Sequence, residues 1–445
     1  MYIKLIEPKL MKRPMDTDLK IRMSPPLGLY TIATLLRDHH KVEVQNESIE
    51  PITYDRPDIV GITVTVNSLP RAIEIACRFR AQGSLVVAGG IHITTAHQLI
   101  PTDCFDALSI GPAEGSWPRI IEDAQLLGRL QPVYHCSADF KAADIVAPSY
   151  DIIKEKDYLF CNIVHTSRGC PFKCDFCYNS GPLHAYMRRP IADVLADIKA
   201  THSRHIMFID DNFVGNIPWT RQLLQAIKPL NIKWNAACSI NVAQHPDLLD
   251  QMTDAGCRSL FIGFESINPS SINSVHKVQN STADYEHAIA ELHSRGIMIN
   301  GSFVFGLDSD TPETFGSTID WIVKNKIETV TSHILTPYPG TVTYNEMAHS
   351  GRLTTTDLSL YDTAHVVFKP KNMTAEQLYN GYLNVYREVY SWKNILRRMP
   401  DDHSQRFAYL TFNLLYRKYG ALSDAVCRLV GYQRFGRFAE LISRY

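Results

Sequence analysis

Three cysteines in one short loop constrain this chain more than any other feature. Cys170, Cys174 and Cys177 stand in the run S-R-G-C-P-F-K-C-D-F-C-Y-N-S, with the spacing C-x3-C-x2-C. The apolar stretch before them, Tyr158 to His165, has the pattern of a strand, so the loop is expected to leave a sheet edge. A cubane iron–sulfur cluster is normally closed by four cysteines. Three thiolates hold three of its irons and leave the fourth open to another ligand. Structural zinc asks for a different set, paired Cys-x2-4-Cys or Cys and His ligands that close a tetrahedron. His165 and His184 are the nearby candidates for a fourth ligand, and neither has that spacing. A disulfide would leave one thiol of the three over. The remaining cysteines, Cys77, Cys104, Cys136, Cys161, Cys238, Cys257 and Cys427, are scattered, mostly in apolar runs, and are expected as small buried hydrophobes.

Length and composition bound the setting. At 445 residues the chain is too long for one ordinary core, so two or three domains are expected. It is 45% hydrophobic and 20% charged, with a formal net charge of −1, so no bulk field draws it to nucleic acid. No apolar run is long enough for a spanning helix, which argues against a transmembrane segment. Met1 to Pro8 starts as a strand rather than as a secretory leader, and the cytoplasm is the expected location.

Through residue 135, short β-branched runs alternate with helical patterns. Tyr2–Ile6, Lys41–Gln45, Asp58–Val64, Leu85–Ala88 and Ala107–Ile110 are expected strands, with helices over Leu27–Arg37, Leu69–Ala81 and Trp117–Leu127. That alternation predicts a Rossmann-like parallel sheet with right-handed crossovers. Ligands of such sheets bind beyond the carboxyl ends of the strands. The loops there carry Thr63, Thr65 and Asn67, then Gly89, Gly90 and His92, then Glu114. The glycines suit a close ligand approach or a sharp turn. His92 is expected to satisfy backbone groups at a helix start. Periodicity then weakens over a linker. Six strand-like runs follow between residues 158 and 350, from Leu159–Thr166 to Thr329–Leu335, with helices between them. They predict a partial α/β barrel with its chemistry at the carboxyl ends. Asp210-Asp211-Asn212, Ser239, Glu265-Ser266 and Thr336–Thr341 each follow a strand there. A helix cap at the aspartates, a solvent-facing Glu265 and core packing of Phe176 and Tyr178 are the bland alternatives. In the last segment Tyr379, Tyr382, Tyr386 and Tyr390 form a stripe at helical spacing, expected as core. The arginines and lysines around it, from Arg397 and Arg398 through Arg417 and Lys418 to Arg437, are expected on a solvated face.

The cysteine loop, the acidic turn D-D-N, the turn G-F-E-S and the turn P-Y-P-G-T together resemble the radical SAM superfamily. P-P-L-G-L-Y, G-I-T-V-T, V-V-A-G-G-I-H and G-P-A-E-G make the first segment similar to the cobalamin-binding domain that precedes many radical SAM cores. The resemblance implies an α/β chain in four parts: a Rossmann-like domain of the cobalamin-binding type (1–135), a linker (136–157), a partial (β/α)6 barrel (158–350) and a mainly helical C-terminal region (351–445). It implies a [4Fe-4S] cluster on Cys170, Cys174 and Cys177, with S-adenosylmethionine (SAM) on the open iron. Asp210, Asp211 and Asn212 would meet the methionine amino group, Glu265 and Ser266 other SAM polar groups, and Ser239 the ribose. Pro339 and Gly340, with Phe176 and Tyr178, would border the adenine. Thr63, Thr65, Asn67, Gly89, Gly90 and Glu114 would face cobalamin. The D-x-H-x-x-G motif is absent, so no cobalt ligand is implied.

In this family one electron from the reduced cluster cleaves SAM to methionine and a 5′-deoxyadenosyl radical, which abstracts hydrogen; no acid–base residue is required for that step. The implied activity is cobalamin-dependent C-methylation of a small-molecule or lipid-like substrate, fed by a flavodoxin- or ferredoxin-type electron donor. Cobalamin-independent cyclisation, ring contraction, C–C coupling or decarboxylation is the second reading. A non-catalytic cobalamin or redox sensor is the third.

Overall fold

All strands of the two large sheets run parallel, so every loop of chemical interest leaves from a carboxyl edge. In this computed structural model the described residues are 1–445 except 14, 15, 17, 102, 182–184 and 417–419. The first sheet contains β1 (Tyr2–Glu7), β2 (Lys41–Asn46), β3 (Ile59–Thr63), β4 (Leu85–Gly89), β5 (Ala107–Ile110) and β6 (Val133–His135). Its order is β2-β1-β3-β4-β5-β6, with the direction of winding reversing between β1 and β3. Helices Leu27–Leu36, Leu69–Ala81 and Trp117–Leu127 lie between these strands in sequence and bury apolar faces. β3 is buried along almost its whole length, which is why its sequence is a continuous apolar run rather than an alternation.

The hairpin of β8 (Ser167–Arg168) and β9 (Met187–Arg188) encloses the cysteine loop. The second large sheet contains β7 (Ile163–Val164), β10 (His205–Phe208), β11 (Lys233–Cys238), β12 (Cys257–Glu265), β13 (Met298–Phe305) and β14 (Thr329–Ile334), in the order β14-β13-β12-β11-β10-β7. These are the six strands of a partial barrel. Around them lies the largest core cluster, with Trp234, Phe208 and Phe213 packed together on one side and Phe264, Phe303 and Trp321 on the other.

Two elements differ from the sequence expectation. The run Leu159–Thr166 pairs with β10 only over Ile163–Val164. Its first residues bond elsewhere: Leu159 N–H donates to Arg22 O at 2.8 Å and Phe160 N–H to Met23 O at 2.9 Å. The strand β6 lies where periodicity had weakened, because three residues are too few to show a period.

The C-terminal helices close the barrel's open side. β14 is an edge strand, and helix Ala375–Val389 lays its tyrosines along it. Tyr390 Oη accepts from Val330 N–H at 2.8 Å and donates to Val330 O at 2.6 Å. Tyr386 Oη does the same for Ser332, at 2.9 and 3.1 Å. Side chains four apart on a helix lie about 6 Å apart, close to the rise of two strand residues. The stripe therefore packs as expected and also supplies the bonds a seventh strand would have made. Arg398 is not on a solvated face: it is fully buried and donates to Glu328 O, Val389 O and Asn413 Oδ1. The expected cations Arg417 and Lys418 lie outside the described residues. Among the described residues no helix is long and apolar enough to cross a membrane.

Replacing Tyr390 with Phe leaves the Val330 N–H and carbonyl unpaired. A loss of about 1–2 kcal/mol is expected in chemical denaturation, with Tyr386→Phe smaller because that side chain is less buried.

Candidate active site between two carboxyl edges

Each barrel strand delivers its side chains to one rim. At the end of β10, Asp210 is 3% exposed. Its Oδ1 accepts from Thr166 N–H (3.0 Å), Thr166 Oγ1 (3.0 Å), Ser167 Oγ (2.7 Å) and Ser167 N–H. Asp210 thus locks the start of the cysteine loop to β10, while its Oδ2 has no partner among the described residues. Burial pushes its carboxyl up to about 6 against those bonds. Asp211 is accessible at the rim. Partial desolvation raises its carboxyl, opposed by hydrogen bonds from the Asn179 side chain and the Gly169 backbone. Asn212 Nδ2 donates to Ser239 Oγ at 3.0 Å, which joins the ends of β10 and β11.

The three cysteines sit between these groups. Cys174 is buried and Cys170 and Cys177 are partly buried. A turn in which Cys177 N–H donates to Cys174 O at 3.1 Å brings the last two together. Burial raises all three thiols, Cys177 to about 12, and the charge of Asp211 adds to the rise at Cys170 and Cys177. Metal loading must therefore displace protons. Among the described residues, no three His, Cys, Asp or Glu side chains converge on a point suited to a single ion. A cubane would take each thiolate at a separate iron. Of the two histidines weighed as zinc ligands, His165 is held neutral by burial, at about 3, and His184 lies outside the described residues.

At the end of β12 the pairing with β13 slips between Gly263 and Glu265, and Glu265 takes φ +61°. A non-glycine residue there stores on the order of 1–3 kcal/mol of strain. The buried Lys277 holds it, pairing with Glu265 Oε1 and donating to Gly263 O at 2.9 Å. A Cβ on Gly263 would lie 2.5 Å from Glu265 Oε1 and 2.7 Å from Lys277 Nζ, so any larger residue would push the pair out of its present place. Ser266 is buried beside it, and its Oγ accepts from Asn268 N–H. Gln279 Nε2 donates to Cys174 Sγ at 3.5 Å. Tyr178 meets Tyr338 edge to face at 5.3 Å, Phe176 packs on the barrel core, and Pro339 is buried.

The carboxyl edge of the first sheet meets this rim. Gly340 has φ +91°, and a Cβ there would stand 2.5 Å from Thr95 O. Val66, just beyond β3, clusters with Tyr338, Tyr344 and Tyr361. Both oxygens of Glu114 bind Arg168, at 2.7 and 3.0 Å. Arg168 stands two residues before Cys170, so this pair ties the first sheet to the cysteine loop. Near β3, Thr65 Oγ1 donates to Asn67 Oδ1 at 2.9 Å and Thr63 faces a cavity. Gly90, at φ +98°, makes its close approach to Thr63 and Val64, whereas Gly89 is uncrowded. His92 departs from expectation: it is 1% exposed and neither ring nitrogen has a partner among the described residues. Burial holds it neutral, at about 4. The cavity, about 220 Å³, is lined by Glu7, Leu27, Gly28, Thr63, Thr65 and Ser68. It opens at the carboxyl ends of β1 and β3, the switch point of this sheet. A larger groove of about 620 Å³ between helices Pro312–Lys324 and Ala375–Val389 involves none of these residues.

The sequence reading did not single out Arg168, Lys277 or Gln279. Only the arginine's place directly before Gly169-Cys170 offered a signal.

Removing Arg168 strands a carboxylate whose side chain is only 4% exposed. Arg168→Ala is expected to cost on the order of 2–3 kcal/mol in denaturation, and Arg168→Ala with Glu114→Gln to recover part of it. Burial pushes Glu7 up to about 7, partly offset by a bond from Asn46. A carboxyl raised in the folded state holds its proton longer there than in the unfolded chain. Stability should then fall as pH rises from about 4.3 through about 7, and Glu7→Gln should flatten that fall in thermal melts.

A model of the radical SAM superfamily matches residues 164–322, from β7 to the helix after β13. The chain is 30% identical over 391 residues to the bacteriochlorophyllide d C-12(1)-methyltransferase of Chlorobaculum tepidum, covering 85% of each chain. Among solved structures it resembles the radical S-adenosylmethionine methyltransferase TsrM from Kitasatospora setae with cobalamin and a [4Fe-4S] cluster bound. The TM-score is 0.61, with 18% identity and 78% of each chain covered. It also resembles the cobalamin-dependent S-adenosylmethionine radical enzyme OxsB with aqua-cobalamin bound, at a TM-score of 0.70 and 13% identity over 94% of this chain and 71% of that one. The superfamily match and the identity to the Chlorobaculum tepidum methyltransferase make the chain a radical SAM superfamily enzyme, and its first parallel sheet and its barrel share the fold of TsrM and OxsB.

Proposed function

We propose that this enzyme carries out cobalamin-dependent C-methylation of a small-molecule or lipid-like substrate. The observation that carries the reading is the meeting of the two carboxyl edges, through Glu114–Arg168 and Gly340–Thr95, directly beside the cysteine loop. The reading divides the chain into a cobalamin-binding domain (1–135), a linker (136–157), a radical SAM barrel (158–350) and a helical C-terminal region (351–445).

The residues suit the groups. Cys170, Cys174 and Cys177 would hold a [4Fe-4S] cluster, with a buried sulfur already accepting an amide bond. The switch-point cavity gives the first sheet an opening at its rim, and the buried His92 ring, unpartnered among the described residues, stands just beyond β4. Bound there, cluster, SAM and cobalamin would supply a 5′-deoxyadenosyl radical for hydrogen abstraction and a transferable methyl group. The chain's own residues orient and shield. Asp211, at the rim, receives the methionine ammonium, and Asp210 fixes the loop beneath it. Asn212 and Ser239 border the ribose. The Lys277–Glu265 pair and Ser266 present charge and hydroxyl to the remaining SAM groups. Tyr178, Phe176, Pro339 and Gly340 wall the adenine side and exclude water. Thr63, Thr65, Asn67, Gly89 and Gly90 face the corrinoid, and Glu114 acts through Arg168. A flavodoxin- or ferredoxin-type protein would deliver the electron.

The test is anoxic reconstitution. About four irons per chain, SAM cleavage to 5′-deoxyadenosine on reduction, a corrinoid absorption band and incorporation of label from methyl-labelled SAM are expected together. Cys174→Ala should lose cluster and cleavage. Cleavage without corrinoid uptake at saturating corrinoid would move the reaction to radical cyclisation or coupling. Zinc-loaded protein without cleavage would end the enzymatic reading of the loop.

A further inference from the structure

Resting on the cluster reading above, we propose that Gln279 is a positioning residue that sets the reduction potential of the cluster by donating a hydrogen bond to the Cys174 sulfur. The segment from Val275 to Asn280 follows the short helix Pro269–Ser274 and is pinned on two sides. On the side of the cysteine loop, Asp175 N–H donates to Val275 O at 3.1 Å, and His276 Nδ1 meets Asp175 Oδ2 at 2.6 Å. On the side of β12, Lys277 Nζ and Asn280 Nδ2 each donate to Gly263 O at 2.9 Å, and Asn280 also reaches Phe264 O at 3.1 Å. Gln279 lies between these anchors with its amide at 3.5 Å from Cys174 Sγ. One backbone bond and the side-chain bonds of His276, Lys277 and Asn280 therefore fix the segment that carries the amide.

The amide is there for that bond. Its Oε1 is buried without a partner among the described residues. A leucine would fill the same space without stranding a buried acceptor. An iron-bound thiolate accepts hydrogen bonds and cannot donate them, so the NH2 end is the one that faces it. A donor at a cluster sulfur stabilises the more negative, reduced state and raises the potential. The neighbouring cation is already neutralised, since Lys277 is paired with Glu265. The amide is an uncharged lever on this sulfur.

The experiment is a spectroelectrochemical titration of anoxically reconstituted wild-type and Gln279→Leu protein without SAM. A lower midpoint potential and altered g-values of the reduced cluster in Gln279→Leu, at equal iron content, are expected. An unchanged potential and spectrum at equal iron content would overturn the proposal while leaving the function intact, because the wild type would still cleave SAM. If Gln279→Leu fails to retain iron, pulsed electron paramagnetic resonance on reduced wild-type protein carrying amide-¹⁵N glutamine decides. A ¹⁵N coupling to the cluster supports the bond, and its absence overturns it. A wild-type protein with no SAM-cleaving cluster overturns both readings at once.

Discussion

Parallel pairing throughout both large sheets governs the rest of this structure. A parallel sheet sends all its strands out at one edge, so the residues after each strand collect on a single rim. Here two such rims are turned toward each other. The side chains beyond β7, β10, β11, β12 and β14 come from positions far apart in the chain, between Thr166 and Thr341, yet they leave at one rim. The loops beyond β3, β4 and β5 complete it from the opposite side. Neither sheet could supply this enclosure alone.

The contacts that join the two rims are of different kinds. The Glu114–Arg168 pair is bidentate and mostly buried, which gives it direction as well as energy. The Gly340–Thr95 approach is steric: it needs a residue without a Cβ in a left-handed conformation. The cluster of Val66 with Tyr338, Tyr344 and Tyr361 adds apolar burial. All three fall within a few residues of the cysteine loop or of the turn after β14. Relative motion of the sheets would therefore be felt first at that loop.

Polar groups beneath the rim are arranged to fix backbone rather than to react. Asp210 spends one oxygen on four donors from Thr166 and Ser167. Asn212 spends its amide on Ser239. Lys277 and Asn280 hold the carbonyls of a bulged, strained strand end. Such bonds are costly to leave half made, which gives the site a single geometry. Even the far side of the barrel obeys the same accounting, with Tyr386 and Tyr390 capping the free edge of β14.

The amino-acid sequence by itself determined the α/β architecture, the sheet and barrel in their order, and the cysteine loop. Each of these rests on local information: period, β-branched runs and the spacing of like residues. The same information misjudged the run Leu159–Thr166, whose first residues bond Arg22 and Met23, and Arg398, whose charge is spent on buried carbonyls. It had nothing to say of Lys277 and Gln279, and of Arg168 only that it stands directly before Gly169-Cys170. What a lone arginine, lysine or glutamine touches depends on partners 54, 12 and 105 residues away. Only chain folding brings those partners within hydrogen-bond reach, so tertiary structure alone decided which polar side chains surround the loop and which merely hold it in place.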